Sequence, residues 1–157
     1  MKTILFVCHA NTCRSVMAQA LLERMVAERD AATVVQVRSG GVAGYARDGM
    51  IASLDARLVL REVGIQLAED AFRSTDLRVH RELVADADLI LTMTEAQKPL
   101  VAALDGQRAR PIFTLKEFAG EAGDIDDPFG GHEDRYRFAR DEIQRCLERS
   151  LERLLNL

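Results

Sequence analysis

The stretch Thr3-Ile4-Leu5-Phe6-Val7-Cys8-His9-Ala10-Asn11-Thr12-Cys13-Arg14-Ser15 decides how the rest of the chain is read. Residues 3–8 form a short apolar run, rich in β-formers and without polar alternation, as a strand buried on both faces requires. From Ser15 to Arg29 the apolar Met17, Leu21, Leu22 and Met25 recur at helical spacing among Glu23, Arg24 and Glu28. The stretch is therefore a strand, a turn and a helix, and the turn carries a cysteine and an arginine separated by five residues.

Working outward, the same alternation repeats. The β-branched run Thr33-Val34-Val35-Gln36-Val37 predicts a second strand ending at Arg38-Ser39-Gly40-Gly41. A loop of small residues leads to a helix over 50–62, stopped by Gly64, and another helix is expected over 75–85. Residues 88–93 predict a third buried strand, 95–104 a helix with Pro99 near its start, and 110–114 a fourth strand. After a loop containing Gly120, Gly123, Gly130 and Gly131, an amphipathic helix dense in Arg and Glu is expected over 133–155. Short apolar strands alternating with helices imply βαβ units and a parallel sheet covered on both faces.

Composition bounds the function. The chain has 157 residues, enough for a single domain over 1–157, with 48% hydrophobic and 29% charged residues as in a globular protein. Lys plus Arg number 21 against 25 Asp plus Glu, a net charge of -4, and only 5% of residues are aromatic. No basic field favours nucleic acid or an anionic membrane, and few rings are available to stack bases, so neither partner is expected. The opening Met1 to Val7 resembles a secretory signal but falls short of the about 7–15 apolar residues and cleavage site that one needs. Three cysteines at irregular spacing fit reduced thiols. A cytoplasmic location is the expectation.

The turn at the end of the first strand carries the chemistry. In a doubly wound sheet, ligands sit beyond the carboxyl ends of the strands, and Cys8 ends the first strand. The free N–H groups and positive dipole end of the following helix make a nest for an anion and favour a thiolate there. The planar fork of Arg14 is suited to clamping two phosphate oxygens. On spacing alone, an inert core cysteine and a solvated arginine are the commoner reading. The strand-loop-helix context, with Asn11 suited to a left-handed turn, favours a phosphate site with a nucleophile beneath it.

Phosphoryl hydrolysis also needs a proton for the leaving group. Gly123-Asp124-Ile125-Asp126-Asp127-Pro128-Phe129-Gly130-Gly131 places three carboxylates in a loop after the fourth strand, on the same sheet edge as Cys8. Asp127 precedes Pro128, which biases it toward an extended conformation. By itself this loop would also read as an acidic surface turn.

Taken together, the two segments resemble the low-molecular-weight phosphatase family, whose phosphate loop is Cys-x5-Arg-Ser and whose acid loop carries Asp-Pro. The likeness extends over Val7 to Ser15, Met17-Ala18, Arg38-Ser39-Gly40, Ala87 to Thr94, Phe113 to Glu117 and Asp127-Pro128. It implies a single-domain α/β fold, a four-stranded parallel sheet in order 2-1-3-4 with helices on both faces. It also implies hydrolysis through a cysteinyl-phosphate, without metal or other cofactor, of phosphorylated protein substrates. Cys8 would be the nucleophile, Arg14 the phosphate clamp and Asp127 the general acid. His9, Ala10, Asn11, Thr12, Cys13, Ser15 and Phe129 would form the substrate-binding surface. Ser15 would donate to the Cys8 sulfur, and Asn11 and Ser39 would hold the loop in shape. Cys13 matches a second loop cysteine that forms a reversible disulfide with the nucleophile in this family, although plain packing explains it equally well.

Within the family, the sequence is most similar to protein-arginine phosphatases. Thr12 stands where tyrosine-specific members usually carry a larger aliphatic residue, and Phe129-Gly130-Gly131 and Phe113 to Phe118 also resemble the arginine branch. Phosphotyrosine is the alternative substrate. Ala10 replaces the usual loop Gly, Val16 replaces a Pro at the helix start, and the His expected between 65 and 80 is absent unless His80 serves. An arsenate reductase would need a further cysteine pair near 88–98, where Met93-Thr94-Glu95-Ala96-Gln97-Lys98 has none, and Cys146 is expected to be buried. Cys8, His9 and Cys13 lack the spaced fourth ligand of a zinc module. A non-catalytic phosphate binder would not need both Cys8 and Asp127. His132 reads as a solvated loop residue.

Overall fold

A computed structural model describes residues 1–106 and 110–157. The elements are β1 (Lys2–Cys8), α1 (Arg14–Glu28), β2 (Val35–Gly41), α2 (Leu54–Glu62), α3 (Glu82–Asp86), β3 (Leu89–Thr92), α4 (Gln97–Ala102), β4 (Phe113–Thr114), α5 (Leu115–Phe118) and α6 (Glu133–Leu155). The strands form one parallel sheet in the order β2-β1-β3-β4, as expected from the resemblance.

β1 sits inside the sheet, and its Ile4, Leu5, Phe6 and Val7 are fully buried. Successive strand residues point to opposite faces, so they feed two cores. Ile4, Phe6 and Cys8 pack with Met17, Leu21 and Leu22 of α1 and with Ile143, Cys146 and Leu147 of α6. Leu5 and Val7 pack on the other face with Leu77, Val84, Ile90 and Val101. This two-sided burial is why β1 lacks polar alternation, and each fully buried Leu or Ile contributes roughly 1.5–3 kcal/mol. α2 is clamped onto α6 through Glu62, which accepts from Arg137 Nε at 2.9 Å and from Arg140 Nη1 at 2.8 Å.

The long elements lie where the sequence predicts them, and the short ones depart. The helix expected over 75–85 is helical only in α3, because residues before it run along the end of β2, with a bridge between Gly41 and Asp76. The fourth strand covers only Phe113 and Thr114. There Thr114 turns the chain into α5 with a capping box, its hydroxyl accepting from Glu117 N while the Glu117 carboxylate accepts from Thr114 N. The helix expected over 50–62 starts at Leu54, where the Ser53 side chain caps it by accepting from Ala56 N.

Candidate active site

The site begins where β1 ends. Cys8 closes β1 and Arg14 opens α1, so the residues between them must reverse the chain within a tight loop. Asn11 makes this possible with a φ of 60, in the left-handed region that few side chains other than Asn and Asp tolerate. Ala10 has no positive φ, so the missing loop glycine costs no strain. Gly41 of β2 packs against the loop, and a Cβ there would lie 2.7 Å from the His9 carbonyl oxygen. A bare backbone is therefore required at that position.

Side-chain hydrogen bonds brace the loop from below. Asn11 Oδ1 accepts the Thr75 backbone N–H at 2.9 Å, so Nδ2 faces the other way and donates to Ser15 Oγ at 2.8 Å and to Ser39 Oγ at 2.9 Å. The Ser39 hydroxyl donates to Gln19 Oε1 at 2.5 Å, and Ser15 Oγ lies 2.9 Å from Cys8 Sγ, within reach to donate its proton when the sulfur is ionised. The Asn11 N–H also points at Sγ, at 3.3 Å. Two donors thus converge on a buried sulfur, as suits the ionised form in which a thiol attacks phosphorus. The side chains of Asn11 and Ser15 do not line the cavity above the loop. They are fully buried and brace the loop from beneath. His80 takes no part in this network. It lies at the surface against Asp48 and Glu82, while the Asn11 carbonyl is satisfied by the Thr75 N–H.

Arg14 is 3% exposed, with Nη1 donating to the Ile125 carbonyl at 2.8 Å and Nη2 3.6 Å from Asp127 Oδ2. The acid loop is thereby fastened to the head of α1. Of the three carboxylates in that loop, Asp124 accepts from Glu95 N and Asp126 faces a neighbouring hollow beside Asp134 and Arg135. Only Asp127 reaches the cavity over Cys8, with Oδ1 accepting the Phe129 N–H at 3.0 Å. The first turn of α1 has no side-chain cap, which leaves its N–H groups to bind an anion.

Above the loop is a cavity of about 490 Å³ lined by Cys8, His9, Ala10, Thr12, Cys13, Arg14, Asp127 and Phe129, all expected at the site. Burial, and then the Arg14 charge, push the His9 imidazole below its usual pKa, so it adds no cation there near neutrality. Burial pushes the Cys13 thiol far up, with Cys8 and Asp127 adding to it, so Cys13 is a protonated neighbour of Cys8. The Thr12 carbonyl accepts the Ser53 N–H at 2.8 Å, tying the outer corner of the loop to the start of α2. His132 lies outside the cavity, at the head of α6, and Cys146 is fully buried.

Sequence reasoning missed Tyr45, Arg47, Met50, Ser53 and Tyr136 in the cavity wall. A signal existed, because Tyr45 and Tyr136 are the chain's two tyrosines and Tyr45 stands alone among small residues in a loop. Tyr45 is 62% exposed at the mouth, while burial holds the Tyr136 phenol up to about 12.

Residues 3–156 match the family described as low molecular weight phosphotyrosine protein phosphatase. A protein-arginine-phosphatase of Geobacillus stearothermophilus is 43% identical over 152 residues, 96% of this chain and 95% of its own length. The low molecular weight protein-tyrosine-phosphatase PtpB of Staphylococcus epidermidis is 34% identical over 135 residues, 85% of each chain. Among solved structures, the YwlE arginine phosphatase, in a mutant with a phosphorylated active-site serine, superposes with a TM-score of 0.86 at 38% identity. That match covers 97% of this chain and 95% of the other.

Proposed function

The chain belongs to the low molecular weight phosphotyrosine protein phosphatase family and is a cysteine-dependent protein phosphatase, and on that premise we propose that it hydrolyses phosphoarginine in proteins. In the first step Cys8 Sγ attacks phosphorus. The S–P bond forms, the P–N bond breaks, and the departing guanidine nitrogen takes its proton from the Asp127 carboxyl. In the second step the Asp127 carboxylate takes a proton from water, whose oxygen attacks phosphorus, and Cys8 leaves as the S–P bond breaks. Arg14 and the N–H groups of the loop and α1 hold the equatorial oxygens through both steps.

The observation that carries the choice of arginine is Thr12 in the cavity wall, beside the nucleophile. A short side chain with a hydroxyl leaves space and a hydrogen-bonding group for a guanidinium, where a larger aliphatic residue would offer only an apolar wall. Relatives named as arginine phosphatases support the same choice. Phosphotyrosine is the second reading, favoured by the exposed rings of Tyr45 and Phe129 at the mouth, which would flank a phenyl group. Comparing kcat/KM on matched phosphoarginine and phosphotyrosine peptides tests the proposal, and a higher value for phosphotyrosine would overturn it.

A cytoplasmic setting is part of this reading. Three free thiols fit a reducing compartment, and among the described residues no helix is long and apolar enough to cross a membrane.

A further inference from the structure

The floor and the wall of the cavity are held in different ways. The floor is the phosphate loop between β1 and α1, while the wall of Tyr45, Arg47 and Met50 stands on residues 42–53, which contain no helix or strand. A free-standing loop must be held by something outside itself to present a defined surface.

The strap of residues 74–78 supplies that hold. Ser74 Oγ donates to the Arg47 carbonyl at 2.5 Å and accepts the Met50 N–H at 2.9 Å, while its backbone N–H donates to the Met50 carbonyl at 2.8 Å. Asp48 reaches across from the wall loop. Its Oδ1 accepts the Asp76 N–H at 2.7 Å and its Oδ2 lies 2.9 Å from His80 Nε2. Arg78, held by the Asp76 carboxylate, donates to the Ala46 carbonyl at 3.2 Å. Between these residues Thr75 faces the other way, donating to Asn11 Oδ1 at 2.9 Å and accepting the Gly41 N–H at 2.9 Å. Alternate residues of one extended segment thus grip the cavity wall and the phosphate loop. Ser74 and Asp76 are 3% and 5% exposed, so their bonds are sheltered from water.

We propose that Asp48 and Ser74 are positioning residues that set the wall of Tyr45, Arg47 and Met50 over Cys8, and so govern how tightly the phosphorylated residue and its flanking chain are held. Neither residue lines the cavity, so both act through the backbone of residues 46–50. This inference rests on the reading that a phosphorylated protein side chain enters over Cys8. It requires no particular choice between arginine and tyrosine.

The test compares Asp48→Ala and Ser74→Ala with the wild type in KM and kcat on phosphoarginine and phosphotyrosine peptides and in competitive inhibition by inorganic phosphate. Inorganic phosphate occupies only the loop. The expected result is a peptide KM raised on the order of tenfold, as misplaced binding walls produce, with kcat and the inhibition constant for inorganic phosphate little changed. Asp48→Asn keeps an acceptor for the Asp76 N–H and should restore most of the peptide KM, which also covers failure of an alanine variant to fold. An unchanged peptide KM would overturn the inference. So would weakening of inorganic phosphate in step with the peptide, because the strap would then act on the floor through Asn11. If the wild type prefers the phosphotyrosine peptide, the proposed substrate fails while the positioning role is still read on that peptide.

Discussion

Arg14 Nη1 donates to the Ile125 carbonyl at 2.8 Å, joining the head of α1 to a loop 111 residues further along the chain. The bond puts Arg14 and the loop that carries Asp127 in one frame. Lysine in place of Arg14 keeps the charge but lacks the planar fork that binds Ile125 and phosphate together. Arg14→Lys should lower kcat/KM by about 10²–10³, the scale for losing a positioned transition-state donor. Steady-state kinetics on either peptide check this, and near-wild-type rates would show that charge alone suffices.

Cys8→Ser should abolish turnover while inorganic phosphate still binds, because a serine hydroxyl at this site is a much poorer nucleophile and leaving group than a thiolate. Intact-mass measurement after incubation with substrate, alongside phosphate binding, gives the readout. Retained turnover would remove Cys8 from its role.

Asp127→Asn should slow hydrolysis by about 10²–10⁴, and most for substrates whose departing atom is basic. An activated aryl phosphate leaves without needing a proton and should suffer least. Equal losses on poor and activated leaving groups would show that Asp127 is not the acid.

Thr12→Ile narrows the cavity beside Cys8 and replaces a hydroxyl with an apolar surface. It should lower phosphoarginine hydrolysis and raise phosphotyrosine activity with the fold intact. A change of one or two heavy atoms in a pocket shifts discrimination by about 1–3 kcal/mol, roughly 10–200-fold. The ratio of kcat/KM values for the two peptides measures it, and an unchanged or higher arginine preference would show that Thr12 is not the filter.

Glu62 couples α2 to α6, and its hydrogen bonds to Arg137, with Arg140 adding, hold its carboxyl down to about 2 from an ordinary 4.5. A depressed carboxylate pKa adds stability that is fully present above the unfolded value and lost as pH falls through the folded one. The contribution of Glu62 should therefore be intact above pH 4.5 and disappear by about pH 2. Glu62→Gln should have a lower Tm than the wild type at neutral pH, with the gap closing through this acid window. A gap independent of pH would mean that packing, and not charge, accounts for the role of Glu62.

Much of this architecture was legible because its signals are local. α6 was expected at its observed limits, since a long amphipathic repeat holds one face against the core over several turns. The short elements were harder to read, because neither periodicity accumulates in a few residues. The Thr114 and Glu117 pair is a capping signal that reading 110–114 as a strand obscured. Residues near 75 resemble a helix in composition, yet the end of β2 draws them into pairing with Gly41.

Cys8, Asn11, Arg14 and Ser15 were legible as one cluster from the residues alone, because they lie in a single strand-to-helix loop whose backbone geometry follows from its neighbours. The sequence by itself also determined the buried β1 and the presence of an acid-loop aspartate, which residue type and spacing express directly. The Asp-Pro resemblance singles out Asp127 among the three carboxylates, but only the folded chain brings it into the cavity over Cys8, next to the bond from Arg14 to Ile125. Only the tertiary structure gave Asn11 its partner in the Thr75 N–H and brought Tyr45, Met50 and Tyr136 around one cavity. These contacts join segments far apart in the chain, and sheet pairing and helix packing bring them together where no local pattern records the encounter.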